Sequence, residues 1–382
     1  MRTESDFTIS SINESVFYKE FTFNRNNFAL QKGQNNELSD NVVLLDEIKI
    51  IIEIKERNAD KANNDVNKWF ENKVILKSKK QIKKTVSFFE NNDEIFIQNR
   101  KKQRIKIPKS RNKDLHKVII YDVKEQLSEK NRNRKFYKSR DIGYIHIFKL
   151  VDYYWVCKYL ITPAELNEYL IFREKFITIY QSILNELKEQ YLLSHFIATD
   201  SDFTIKKEYA NILNKINREA TNFDIYDLIN YFTDKINIEN PETNYSYLFK
   251  EICKLKRTEL KYFKERYYNS IQSVNNNENN FYRFVAERTN CGFVFLCLNS
   301  KSYSKGWNKK FSNFTELYKY RHKLEKCVGI VFYKNIENLM NIDFCYFENE
   351  WEYDTELEKI AKEDNKKNGE SKIVKLKRYS NK

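Results

Sequence analysis

A chain of 382 residues, 41% hydrophobic and 15% aromatic, holds enough apolar material for two or three packed domains. Lys and Arg number 68 against 54 Asp and Glu, a formal charge of +14 that favours a polyanionic partner. The six cysteines show no C-x-x-C pairing, which excludes a zinc-ribbon or disulfide framework; no apolar run is long enough to span a bilayer, and "MRTESDFTIS" has no apolar h-region, so a cytoplasmic protein with reduced thiols and no membrane partner is expected.

The first predicted elements are two strands, "DNVVLL" and "IKIIIEI", separated by the polar pair Asp46-Glu47. Centring the turn on that pair places Leu45 against Ile48 and Leu44 against Lys49. Counting outward then sets Asp40 directly opposite Glu53. Side chains two apart share a face, so Asp40, Glu53 and Lys55 gather on one side and Ile48, Ile50, Ile52 and Ile54 on the other. Asp-Glu is a poor dipeptide for a tight turn, so a loop of four residues is expected. A slip of one residue would send the two carboxylates to opposite faces.

Next comes a helical segment, "NKWFENKVILKSKKQIKKTVSFFE", and then strands at "EIFIQ", "KVIIYDV" and "IGYIHIF". This alternation predicts a mixed sheet flanked by helices. The excess charge is concentrated here. From Lys61 to Arg140 there are 24 Lys or Arg against nine Asp or Glu, which leaves −1 for the rest of the +14 chain. Lys79, Lys80, Lys83, Lys84, Arg100, Lys101, Lys102, Arg104 and Arg111 are the candidate phosphate contacts, with Asn and Ser as further donors.

From "TPAELNEYLIFREKF" onward the pattern turns helical, with Thr162 as cap, Pro163 in the first position and Glu165 three residues after the cap. "NNNENN" reads as a linker. After it, "CGFVFLCL", "CVGIVFY" and "IDFCYFENEW" read as strands around the helix "NFTELYKYRHKLEK", and a polar tail follows. The expected division is 1–176, 177–274 mostly helical, 281–360 a smaller α/β module, and 361–382 the tail.

Opposed carboxylates on a sheet repel, and a hard divalent cation such as Mg²⁺ would offset that repulsion. A neighbouring lysine could orient or deprotonate a metal-bound water or stabilise developing phosphoryl charge, which together would make a phosphodiester hydrolase site. Asp40, a gap of twelve residues, then Glu53-Ile54-Lys55 resembles the core motif of the PD-(D/E)XK nuclease superfamily, the restriction-endonuclease-like fold, over residues 1–176. The resemblance implies that Asp40, Glu53 and the Ile54 carbonyl ligate Mg²⁺, with Mn²⁺ as a substitute, and that Lys55 serves the nucleophilic water. It further implies a helical acidic residue, Glu14 before Glu20, and a helical glutamine, Gln81. Ser39 stands where the family's motif has Pro, which many members lack. More loosely, the arrangement resembles bacterial nuclease-like proteins encoded among anti-phage defence genes, which implies a DNA substrate, with RNA left open, and a homo-oligomer or a partner protein in a defence complex.

Other chemistry finds little support. The four histidines, His116, His146, His195 and His322, are scattered, and His146 in "YIHIF" is singled out because its strand could lie beside the hairpin. No Gly-rich phosphate loop occurs. The readings carried forward are a metal-dependent deoxyribonuclease, a nucleic-acid-binding module on a degenerate nuclease scaffold, and a sensor or interaction protein whose C-terminal module carries the function.

Overall fold

The structure, a computed structural model, describes residues 4–24, 27–29, 35–58, 65–99, 104–180, 187–198, 207–216, 244–299 and 306–368. The chain folds as two compact units, Met1–Ala220 and Thr221–Lys382. The helical region expected at 177–274 is therefore not a separate body. Its first part packs against helices of the first unit, Glu189 bonding Arg173, and its second part supplies helices to the second.

In the first unit, α1 (Glu4–Phe21) leads into β1 (Thr22–Asn24), and β2 (Asn27–Ala29) pairs with β3 (Asn35–Glu37). The expected hairpin follows as β4 (Asn41–Leu45) and β5 (Ile48–Glu56). Asp65 caps the next helix by accepting from Asn67 and Lys68 backbone N–H groups at 2.6 and 3.0 Å. That helix runs as α2 (Val66–Trp69), a π-helical stretch (Phe70–Lys77) and α3 (Ser78–Asn91). A small hairpin, β6 (Glu94–Gln98) with β7 (Arg104–Pro108), precedes β8 (His116–Asp122). Then come α4 (Glu129–Arg132), β9 (Phe136–Ser139), β10 (Gly143–Lys149) and α5 (Leu150–Tyr159). Helix α6 (Pro163–Ile179) starts as expected, Thr162 Oγ1 accepting from Glu165 N–H at 3.0 Å, and α7 (Glu189–Ala198) follows.

Six strands form one mixed sheet in the order β1-β4-β5-β8-β10-β9. β5, β8 and β10 are mutually parallel and the outer pairings are antiparallel. Parallel strands are covered on both faces, and β5 obeys that rule: Ile50, Ile51, Ile52 and Glu53 are all essentially inaccessible. One face carries Ile51, Ile119, Ile145 and Ile147 under Phe70, Val74, Ile82, Val86 and Phe89 of the long helix. The other carries α1, α5 and α6. There Ser5 of α1 donates from N–H to Glu56 Oε2 at 2.7 Å and from its hydroxyl to Asp122 Oδ2 at 3.3 Å, and α6 reaches His116 and His146.

The hairpin register is the expected one, with Leu45 opposite Ile48 and Leu44 opposite Lys49. The loop is not. It has two residues rather than four, because Asp46 takes φ 48°, the left-handed region that Asp tolerates better than most side chains.

The second unit contains α8 (Asn244–Cys253), α9 (Arg257–Asn275), β11 (Asn280–Ala286), β12 (Cys291–Cys297), α10 (Trp307–Arg321), β13 (Lys326–Lys334), β14 (Met340–Glu348) and α11 (Thr355–Asn368). Its sheet runs β11-β12-β13-β14, with β12 and β13 parallel. Phe263 and Tyr267 of α9 meet Phe293, Phe295 and Phe332 edge-on, while Phe311 of α10 packs on Val331 and Tyr333 of the opposite face. Gly329 lies under α10, where a Cβ would meet Thr315, Cys345 Sγ at 2.7 Å and Phe311 Cζ at 2.9 Å. The "NNNENN" segment is a turn from α9 into β11 inside this unit, not a linker between units. The first part of the expected polar tail, 361–368, is helical, and its remainder lies outside the described residues.

Candidate metal centre on the central hairpin

Backbone pairing of β4 with β5 ends at Asn41 opposite Ile52, so the next position outward sets Asp40 against Glu53. There a side chain takes over from the ladder. Asp40 Oδ2 accepts from Ile54 N–H at 2.8 Å, which fixes the carboxylate over β5. The residue before it is clamped as well, since Ser39 N–H donates to Thr85 Oγ1 at 3.2 Å and the two hydroxyls lie 3.0 Å apart. Thr85 belongs to α3, so the helix that roofs the hairpin also holds the entry to β4.

Glu53 points into that roofed face, next to Ile119 of β8, and is fully buried. Its Oε2 accepts from Lys55 Nζ at 2.8 Å, while Oε1 is buried and has no hydrogen-bond partner. Burial first, and the neighbouring Asp40 charge second, push the Glu53 carboxyl up to about 8 against the opposing pull of Lys55. Lys55 shifts upward too: the two carboxylates outweigh its own burial and keep it an ammonium. That ammonium lies 2.8 Å from Glu53 Oε2, 3.0 Å from the Ile54 carbonyl oxygen and 3.4 Å from Asp40 Oδ2. Asp40 and Lys55 keep only about an eighth of their side-chain surface exposed, at 13% and 12%.

These are the oxygens expected to ligate a metal, gathered around one positive charge. With Glu53 protonated, Asp40 and Lys55 balance. With Glu53 ionised, the cluster carries an excess negative charge and an unpartnered buried oxygen. A hard cation fits both the oxygen donor set and that orphaned atom.

Gln81 is one helical turn before Thr85 on α3, and its side-chain carbonyl oxygen is also buried without a partner. Glu14 is buried, but on α1, which packs against the face carrying Ile54 and Glu56. Glu20 sits on α1, outside the described side chains. Of the candidate phosphate contacts, Lys80, Lys84 and Arg111 are exposed on and beyond α3. Lys79 lies 5.7 Å over the Tyr137 ring and Lys83 pairs with Asp141 at 2.7 Å. Arg100, Lys101 and Lys102 fall outside the described residues, as does the Arg104 side chain.

Sequence reasoning missed the Ser39–Thr85 clamp, for which a Ser before the acidic residue and a Thr on the following helix were the available signal. It also missed a second group of ligand-type atoms. His116, His146 and Glu174 bring such atoms within 4.8 Å of one another on the sheet face opposite Glu53. Their surroundings oppose a cation. Arg173 Nη1 donates to His146 Nδ1 at 3.3 Å, which leaves the ring proton on Nε2, and burial with the nearby Arg173 and Lys117 charges holds both rings neutral. Arg173 itself is locked by Glu189, at 2.7 and 2.8 Å, and stacks 3.9 Å over Phe148. Among the described residues no helix is long and apolar enough to cross a membrane.

Comparison of the chain with models of known families, with curated proteins and with solved structures finds no match.

Proposed function

We propose that the first unit is a metal-dependent phosphodiester hydrolase acting on DNA. One observation carries the reading: oxygens of Asp40, Glu53 and Ile54 converge on a single cationic centre, Lys55 Nζ, beside a buried Glu53 oxygen that has no partner. Asp40, Glu53 and the Ile54 carbonyl would hold Mg²⁺ or Mn²⁺, which when bound supplies Lewis-acid polarisation of the phosphoryl group and an activated water.

The chain's own residues divide the remaining work. Lys55, whose ammonium form its acidic neighbours favour, is a hydrogen-bond donor and not a base at neutral pH. Its role is to stabilise negative charge developing on a phosphoryl oxygen. The unpartnered Gln81 oxygen is an acceptor that can orient the attacking water. The Ile51 and Ile119 side chains beside Glu53 keep bulk water out and so strengthen each of these interactions.

The test is cleavage of plasmid and single-stranded DNA by the full chain with Mg²⁺ or Mn²⁺. Asp40→Ala, Glu53→Gln and Lys55→Ala are each expected to lose about a hundredfold or more in rate. Variants that cut as fast as wild type would place the chemistry elsewhere. A chain that cuts nothing yet binds DNA with a steep salt dependence would instead be a binding module on this scaffold.

A further inference from the structure

Lys55, Tyr121 and Lys149 stand in register as one row across the parallel strands β5, β8 and β10, near their C-terminal ends. Two strand spacings put Lys149 about 10 Å from Lys55, on the same sheet face. Ligands of open sheets with parallel strands gather at this end. Two cavities open here and share Arg132, Lys149 and Val151 as walls, one of about 480 Å³ and one of about 780 Å³. The larger is big enough to enclose a nucleotide.

An aromatic platform lines that larger cavity. Trp155 and Tyr159, one turn apart on α5, stack with centroids 5.8 Å apart and planes at 26°, and Lys158 Nζ lies 4.8 Å over the Trp155 ring. Trp155 is 41% exposed and Tyr154, lining the smaller cavity, is 42% exposed. Charge surrounds the rings unevenly. Arg132, Lys135, Lys149 and Lys188 face Asp152 and Glu189. Glu189 is already neutralised by the buried Arg173 and accepts from Tyr169 at 2.6 Å, so the wall is net positive. A cavity with a part-exposed indole, a cationic rim and both a lysine and a carboxylate at its wall matches the three parts of an unpaired nucleotide: base plane, phosphate and polar base edge. Bases inside a duplex are already stacked and offer only their edges.

We propose that this cavity takes unpaired bases of a single-stranded nucleic acid, stacked on Trp155 and Tyr159 with phosphates on Arg132 and Lys149. That the strand then continues to Lys55 rests on the hydrolase reading; the binding itself does not.

The experiment is fluorescence anisotropy of labelled oligothymidylate, oligouridylate and a duplex of equal length with the full chain in EDTA, where divalent cations are absent. Wild type is expected to prefer a single strand over the duplex, and the two single strands, which differ in sugar and in the thymine methyl, report which of the two is accepted. Trp155→Ala should weaken single-strand binding about ten- to hundredfold and leave duplex binding unchanged, while Trp155→Phe, which keeps a stacking ring, should retain most of it. Lys149→Ala should lower the salt slope by about 0.7. An unchanged single-strand affinity in Trp155→Ala, or an equal loss on duplex, overturns the proposal, with the unfolding transition of each variant checked against wild type. Cleavage of single strands with metal separates the two readings. Cutting that is indifferent to Trp155 keeps the hydrolase and overturns the path of the strand from the platform to Lys55, whereas Trp155-dependent binding without cutting keeps the platform and overturns the hydrolase.

Discussion

Glu53→Gln is expected to stabilise the first unit at alkaline pH while abolishing cleavage. The folded carboxyl titrates at about 8 and the unfolded one at 4.5. Below pH 4.5 both states are protonated and the residue favours neither. Between 4.5 and 8 the folded state holds a proton that the unfolded state has released, so stability falls as pH rises, and above 8 the full cost is present. A difference of 3.5 pH units at about 1.4 kcal/mol each gives a ceiling of about 5 kcal/mol. Gln keeps the shape of the protonated acid and cannot ionise, and the value of about 8 already includes the pull of Lys55, so the gain should approach that ceiling of about 5 kcal/mol at pH 9 and be about 1 kcal/mol or less at pH 5. The assay is denaturant unfolding of wild type and variant across that range, with the second unit as a transition that should not move. A difference independent of pH, or a variant less stable at pH 9, would refute the claim that a dry, like-charged environment raises Glu53.

Two further outcomes are expected. His116, held down to about 4 by burial, must charge on acid unfolding, a contribution of about 3 kcal/mol against the folded state as pH falls from 6.5 to 4 that opposes the gain from Glu53; it should show as the pH-dependent difference between wild type and His116→Gln, which can still bond Asn167, in the same unfolding series. Gly329→Ala should cost the second unit about 1 to 3 kcal/mol in thermal or denaturant unfolding, because Thr315, Cys345 and Phe311 already occupy the space a methyl needs.

The hairpin is legible because Asp46-Glu47 is the only polar pair between two apolar runs, and alternation then assigns every side chain to a face. Its turn is tighter than expected because Asp46 adopts a positive φ without being Gly or Asn. Alternating charges suggest a half-exposed edge, yet Glu53 is fully buried because β5 sits in the middle of the sheet with a parallel neighbour and helices on both faces. The helix bearing Glu14 exists, but which face it covers depends on contacts with Glu56 and Asp122 that no local pattern encodes. The same holds for His116 and His146, which meet only through the long-range pairing of β8 with β10. In the middle of the chain, helical periodicity is plain but carries no information about which sheet a helix joins, so one expected region proves to be split between two units.

The atoms that would grip a cation all come from one short run, Asp40 to Lys55, whereas the atoms that keep Glu53 dry come from far along the chain, on α3 and β8. Placement and acidity are thus written in different segments. A substitution that let one water reach Glu53 from α3 would lower its proton affinity without moving a single ligating oxygen. The pH at which the centre accepts a metal can therefore drift, or be engineered, independently of the hairpin that shapes it.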